Sequence, residues 1–187
     1  MQDWKNHLEA VIDKILVDEQ HIDHRLDELA RQINNDYRAM GADSLLAIGT
    51  LRGSVFFFCD LVRRLQMPVT IDFLSARSYG GTESSGVVQI TSDITQEIRG
   101  RHVLIIEDIV DTGYTMSKIL PVLQERQPAS LRLCTLLSKP SRRVVPVHID
   151  YQGFEIENDF VVGYGLDYDE KYRHLPMIAV LKPECYK

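Results

Sequence analysis

The sequence has few cysteines and no long apolar run, and both shortages exclude whole classes of protein. Among its 187 residues are only 3 cysteines, far apart and without a Cys-x-x-Cys pair. This pattern does not form a disulfide framework and favours a reducing compartment. No stretch approaches the roughly 18 apolar residues of a membrane span, and the N-terminus has no apolar segment of signal-peptide type. We therefore expect a cytoplasmic protein without membrane association.

Basic residues are also in short supply relative to acidic ones. The 21 Lys and Arg residues face 27 Asp and Glu residues, which gives a formal net charge of −6. This balance argues against broad binding to the phosphate backbone of nucleic acids. The apolar share of 44% and the charged share of 26% are typical of an ordinary globular protein. At roughly 100–200 residues per domain, the length predicts a single domain over residues 1–187.

The apolar pattern changes near Gly41. Before it, apolar residues recur at spacings of three and four, which predicts helix through the first forty residues. After it, short and often β-branched runs alternate with helical patterns, which predicts an α/β fold with a mainly parallel sheet. The predicted strands are 44–49, 69–75, 87–93, 102–110 and 131–139, and the predicted helices between them are 53–66 and 115–126. Residues 77–86 are expected to form a long polar loop, and residues 140–158 show no firm period.

The segment 103–115, VLIIEDIVDTGYT, carries the clearest chemical signal. A buried strand runs into the carboxylates Glu107 and Asp108, and Asp111 begins a turn that opens a helix. The unpaired N–H groups of such a helix start can hold one phosphate. The carboxylates can accept hydrogen bonds from sugar hydroxyls or lie near a divalent cation with oxygen ligands. One acidic pair would ordinarily only cap the turn, but three carboxylates beside a Thr-Gly turn indicate a site for phosphate, ribose and metal.

This segment resembles the phosphoribosyl pyrophosphate motif of type I phosphoribosyltransferases. A Walker A loop is excluded because the chain has no G-x-x-x-x-G-K-[ST] string, and the helical pattern after Asp-Thr-Gly does not suit an aspartic protease. Further segments, in matching order over roughly residues 44–180, resemble the hypoxanthine-guanine phosphoribosyltransferases. They are Leu51-Arg52-Gly53, Ser78-Tyr79, Lys139, the segment 160–168 (FVVGYGLDY) and Arg173.

The resemblance implies a mainly parallel twisted sheet flanked by helices, with a core at residues 40–140, a small hood formed by the N- and C-terminal segments, and a flexible lid loop. It implies a purine-salvage enzyme that transfers the phosphoribosyl group from phosphoribosyl pyrophosphate to hypoxanthine or guanine. IMP or GMP and pyrophosphate would be the products, Mg²⁺ the cofactor, and a homodimer or homotetramer the assembly. In that family the peptide at the position of Leu51-Arg52 is often a non-proline cis bond.

The resemblance also implies a role for each matching residue. Asp111 would be the catalytic base that takes the N7 proton, and Ser78 and Tyr79 would belong to the lid. The ribose and 5′-phosphate would be bound by Glu107, Asp108, Asp111, Thr112, Gly113, Tyr114 and Thr115. Pyrophosphate would be bound by Leu51, Arg52, Gly53 and Arg173. The purine would be bound by Lys139, Phe160, Val161 and Asp167, and the metal by Glu107, Asp108 and Asp167.

Two alternatives share the same phosphate motif. An RNA-binding regulatory homologue would need a basic surface, which the charge of −6 disfavours. A phosphoribosyltransferase for another base, such as xanthine or uracil, is the closer alternative. Tyr114 stands where many relatives have lysine or asparagine, and we expect this difference to change phosphate affinity rather than to remove activity.

Overall fold

The computed structural model describes residues 2–79 and 87–186, which form helices, strands and two short 3₁₀ turns. The helices are α1 (Gln2–Val11), α2 (Glu19–Ala39), α3 (Val55–Val62) and α4 (Tyr114–Gln124). The strands are β1 (Ile12–Val17), β2 (Leu45–Leu51), β3 (Val69–Tyr79), β4 (Val87–Ser92), β5 (His102–Val110), β6 (Ser130–Ser138), β7 (Tyr151–Glu155), β8 (Val161–Val162) and β9 (Ile178–Leu181). The 3₁₀ turns are Pro140–Arg142 and Pro183–Cys185. None of the helices in these ranges is long and apolar enough to span a bilayer.

Six strands form the larger sheet, in the order β4-β3-β2-β5-β6-β7. All neighbours pair in parallel except β3 and β4, which are antiparallel. The predicted α/β fold with a mainly parallel sheet is confirmed. The chain moves outward from β2 to β3 on one side and continues from β5 on the other, so the strand order switches between β2 and β5. In sheets of this kind, ligands bind beyond the carboxyl ends of the strands at such a switch point.

Strand β5 lies at the centre of this sheet and is buried on both faces. Leu104 and Ile106 pack into one apolar cluster, together with residues of α2 and α3. Val103 and Ile105 pack into the other, together with residues of α4. A strand covered by helices on both sides requires a continuous apolar run rather than an alternating pattern, and this explains the VLII stretch before the acidic pair. The central position holds the carboxyl end of β5 rigidly.

Three strands from the two ends of the chain form a second, antiparallel sheet, in the order β1-β9-β8. Ile12 pairs with Leu181, and Ile15 with Ala179. The prediction of helix through the first forty residues is therefore wrong for β1. The apolar residues of β1 follow the helical spacing, but a distant partner strand decides the conformation. The start of α2 has a local signal in Asp18, whose carboxylate accepts a hydrogen bond from the His21 N–H at 2.9 Å.

Two further segments contain strand residues that the sequence did not predict. Residues 140–158, without a firm period, contain β7, which pairs in parallel with β6 at the edge of the larger sheet. Residues 77–79 of the predicted loop instead extend β3 and pair with β4. The rest of that loop, residues 80–86, lies outside the described residues.

Candidate active site

The end of β2 forms one wall of the site through a tight loop. The peptide between Leu51 and Arg52 is cis, as it often is in the family that the sequence resembles. Gly53 follows, and a Cβ atom at this position would lie 1.6 Å from the Asp108 Oδ2 atom. Only glycine therefore lets the loop after β2 lie directly against the Asp108 carboxylate near the end of β5.

A C-terminal segment closes over the same loop. Gly165 has a φ of 104° and lies so close to the loop that a Cβ atom would be 1.9 Å from the Gly53 carbonyl oxygen. The Arg173 guanidinium donates to the Gly165 carbonyl oxygen at 2.7 Å and pairs with Asp167 at 2.7 Å. These contacts bring a cationic side chain from the C-terminal segment onto the end of the sheet.

A cavity of about 240 Å³ lies between these two segments and the end of β5. It is lined by Thr50, Leu51, Arg52, Gly53, Ala76, Glu107, Asp108, Thr115, Ile119, Asp167 and Arg173. Glu170 connects the two arginines, because it accepts from Arg52 at 2.6 Å and from Arg173 at 3.3 Å. Two guanidinium groups beside carboxylates form a site that can bind a polyanion together with a cation.

The two adjacent carboxylates in this cavity both have a raised pKa. Glu107 is buried and accepts a hydrogen bond from the Thr50 hydroxyl. Burial and the neighbouring Asp108 together raise the pKa of Glu107 well above its usual range. Asp108 is half-buried, and burial raises its pKa to about 6 although the Ile109 N–H donates to it at 2.9 Å. Hydroxyl donors or a cation would stabilise the ionised form of such carboxylates. This agrees with the predicted site for ribose, phosphate and metal.

The phosphate turn follows directly after β5. Gly113 has a φ of 88° and precedes the first residue of α4, and a Cβ atom there would lie 2.3 Å from the Val145 carbonyl oxygen. The N–H groups of Val144 and Val145 donate to the Thr112 carbonyl oxygen at 2.9 Å and 3.0 Å. The segment that contains Val144 and Val145 thus fixes the carbonyl group of Thr112 in the turn. The first N–H groups of α4 have no acceptor within the helix and remain suited to an anion.

A second cavity, of about 480 Å³, is lined by Asp111, the first residue of the turn, whereas Thr115 lines the smaller cavity. The second cavity is lined by Ile109, Asp111, Lys139, Arg142, Asn158, Asp159, Phe160, Val161, Leu166 and Tyr186. Lys139 is buried, its ammonium group donates to the Asp159 carbonyl oxygen at 2.8 Å, and burial lowers its pKa. The Asp111 carboxylate accepts from the Arg142 Nε atom at 2.9 Å. One buried cation, one carboxylate and aromatic rings suit a flat heterocycle with a polar edge.

The structure distributes the predicted residues over the two cavities. The predicted pyrophosphate residues and the acidic pair line the smaller one, and Asp111, Lys139, Phe160 and Val161 line the larger one. Asp167, predicted for both the purine and the metal, lies only on the smaller cavity. Ser78 and Tyr79 end β3, but their side chains lie outside the described part of the structure.

Several residues that line the two cavities are not among the predicted site residues. Thr50 precedes the Leu-Arg-Gly loop directly, and Ile109 lies between two assigned carboxylates, so position along the chain could have indicated both. Arg142 follows Lys139 by three residues, so its position near an assigned cation could also have indicated it. Tyr186 gave no signal, since it lies far along the chain from every motif.

Comparison with known proteins identifies the class to which this fold and site belong. The model of the phosphoribosyl transferase domain family matches residues 14–169. The chain therefore belongs to the phosphoribosyltransferase family.

Individual relatives show to which group within this family the chain is similar. Hypoxanthine phosphoribosyltransferase of Haemophilus influenzae is 47% identical over 166 residues, which cover 88% of this chain and 93% of the relative. Hypoxanthine-guanine phosphoribosyltransferase of Mycobacterium avium is 48% identical over 180 residues, 94% of this chain and 89% of the relative. The crystal structure of a Staphylococcus aureus hypoxanthine phosphoribosyltransferase has a TM-score of 0.90 and 43% identity, and the match covers 96% of this chain and 97% of that one. Within the family, the chain groups with the hypoxanthine-guanine phosphoribosyltransferases.

Proposed function

We propose that this protein transfers the phosphoribosyl group of phosphoribosyl pyrophosphate to hypoxanthine or guanine, with release of pyrophosphate. The observation that carries the proposal is a pair of cavities that are both lined by the phosphate turn 111–115: Thr115 lines one, and Asp111 lines the other. One cavity is lined by arginines and carboxylates, and the other by a buried lysine, a carboxylate and aromatic rings. The names of the relatives support this choice of substrates.

In the proposed reaction, the bond between the ribose C1′ atom and a pyrophosphate oxygen breaks, and a purine nitrogen forms the new bond to C1′. Cleavage at an anomeric carbon passes through an oxocarbenium-like state, as in glycoside hydrolysis. The leaving group is strongly anionic, so Arg52 and Arg173 would stabilise it as the bond breaks. Glu107 and Asp108 would accept hydrogen bonds from the ribose hydroxyls, and the amides of the turn would hold the 5′-phosphate.

The larger cavity would bind the purine. Asp111 would take the proton that N7 loses, while its hydrogen bond from Arg142 keeps the carboxylate in place. The Lys139 ammonium group would donate to the oxygen at C6, where adenine presents a donor instead. The Phe160 ring would stack on the base, and the Val161 backbone would face its N1 and N2 edge.

We assign Mg²⁺ to the smaller cavity, bound there mainly through the phosphoribosyl substrate. Among the described residues, no group of three or more His, Cys, Asp or Glu side chains could hold a metal by itself. Asp108 and Asp167 nevertheless line one cavity, and burial raises the pKa of Asp108 to about 6. Carboxylate oxygens suit this hard cation. Asp167, Glu107 and Asp108 would therefore supply some of its ligands, and the phosphoribosyl substrate would supply the others. When bound, the ion would offset the charge of the leaving pyrophosphate.

Other parts of the proposal follow from the family resemblance. Ser78 and Tyr79 would belong to a lid that keeps water from the reacting carbon. The β1-β9-β8 sheet would form the hood of a single domain over residues 1–187, with its core at residues 40–140. We further propose a cytoplasmic purine-salvage enzyme that assembles as a homodimer or homotetramer.

Pyrophosphate release with a panel of bases tests the proposal. Purified protein is incubated with phosphoribosyl pyrophosphate, Mg²⁺ and one of hypoxanthine, guanine, xanthine, adenine or uracil. We expect release with hypoxanthine or guanine, and IMP or GMP as the nucleotide product. Faster release with xanthine or uracil would assign the protein to another base. No release with any base, together with specific RNA binding, would support the regulatory alternative.

A further inference from the structure

The C-terminal turn places an aromatic side chain on the wall of the larger cavity. Strand β9 ends at Leu181, and the turn Pro183–Cys185 follows. Tyr186 comes next, and its side chain lines the cavity that also contains Lys139 and Asp111. A residue near the end of the chain thus reaches the proposed purine site.

Several contacts fix the direction in which this turn leaves the sheet. The Lys182 N–H donates to the Val11 carbonyl oxygen at 2.9 Å, and the Lys182 ammonium group donates to the Glu9 carbonyl oxygen at 2.7 Å. The Cys185 N–H closes the turn by donating to the Lys182 carbonyl oxygen at 3.0 Å. Since these contacts attach the turn to the end of α1, Tyr186 does not extend freely from the last strand.

Tyr186 is stacked on Phe160. Their ring centroids are 4.7 Å apart and the ring planes differ by 21°. The backbone is fastened at the same place, because the Leu181 N–H donates to the Phe160 carbonyl oxygen at 3.0 Å. Tyr168 adds an edge contact to Phe160, with centroids 5.6 Å apart and planes at 88°. Phe160, Tyr168 and Tyr186 pack against the apolar cluster around Val162, on the side of the small sheet.

We infer that Tyr186 is a positioning residue of the purine site: it supports the Phe160 ring from the small-sheet side, so that the opposite face of that ring is presented to the base. The inference rests on the proposed function, and it adds a residue that no motif contains. A benzyl side chain that lines an open cavity can rotate away from the stacking position. An aromatic ring packed nearly parallel against it removes that freedom before the base arrives.

The test compares Tyr186→Leu, which removes the ring, with Tyr186→Phe, which keeps the ring and removes the hydroxyl. Aromatic pairs contribute enough beyond their buried area that we expect KM for hypoxanthine to rise about three- to tenfold in Tyr186→Leu. The kcat value and the KM for phosphoribosyl pyrophosphate should stay within about twofold, because the loss affects base binding. Tyr186→Phe should restore the KM for hypoxanthine. Cys185→Ser, on the same turn, serves as the matched control.

A chain shortened after Cys185 gives an independent variant that leaves the anchored turn in place. It should show the same selective rise in KM for hypoxanthine as Tyr186→Leu. An unchanged KM in both variants, or an equal loss for both substrates, would overturn the inference while leaving the proposed function intact. A lower KM would also overturn it, because Tyr186 would then occupy the position of the base. Absence of turnover in the unmutated protein would contradict the proposed function and the inference together.

Discussion

Replacement of Lys139 by methionine tests the proposed recognition of the base. Methionine keeps most of the length of the side chain but has no donor for the oxygen at C6. A hydrogen bond to a charged group contributes about 1.5–3 kcal/mol, and each 1.4 kcal/mol corresponds to about tenfold in binding. We therefore expect the KM for hypoxanthine to rise about 10- to 150-fold in Lys139→Met. Discrimination against adenine, measured as the ratio of kcat/KM values, should fall by a similar factor.

The stability of the same variant should change little, because two effects oppose each other. Loss of the ammonium group leaves the Asp159 carbonyl oxygen without the donor it has at 2.8 Å. The substitution also removes a buried charge whose pKa burial lowers. Lys14→Met is a matched control, since Lys14 pairs with the Asp159 carboxylate at 3.1 Å and is 54% exposed. Wild-type base kinetics and adenine discrimination in Lys139→Met would refute the assignment.

Three further predictions concern the carboxylates. Asp111→Asn can still accept a hydrogen bond from Arg142, but it is not a base at neutral pH, so kcat should fall about 10²- to 10⁴-fold. Its Kd for phosphoribosyl pyrophosphate should change little, because Asp111 would contact the 5′-phosphate through its backbone amide, which the substitution keeps. A loss confined to that Kd would make Asp111 a structural cap. Excess EDTA should abolish turnover while circular dichroism and Tm stay unchanged, and full activity in EDTA would contradict the Mg²⁺ assignment. Burial raises the pKa of the Asp108 carboxyl group to about 6 in the folded protein, from an ordinary value of 3.8. The folded state therefore binds this proton more tightly than the unfolded state. The free energy of unfolding should fall as the pH rises between these two values, up to about 6. Asp108→Asn should accordingly raise Tm at pH 8 by a few degrees, with the gap closing as the pH falls from about 6 towards 4, and a gap independent of pH would show that Asp108 is not the group responsible.

Local features of the sequence were sufficient to predict five of the six strands of the larger sheet, all except β7, and the phosphate turn. The run 103–106 is apolar without alternation because β5 is covered on both faces. Gly113 precedes α4 because its φ of 88° and its contact with Val145 exclude a side chain. Glu107, Asp108 and Asp111 follow the apolar run 103–106 within five residues, so a single linear motif contains all three. The order of the remaining segments then indicated the family.

The tertiary structure decided what depends on segments far apart in the chain. Strand β1 has helical spacing, but its pairing with β9 makes it a strand. The same sheet carries the C-terminal turn, and that turn places Tyr186 on Phe160. Arg52 and Arg173 share a cavity only because Gly165 lies against Gly53. Local sequence predicts an element when its own side chains determine its conformation, whereas long-range pairing and close backbone contacts depend on partners that a linear pattern does not identify.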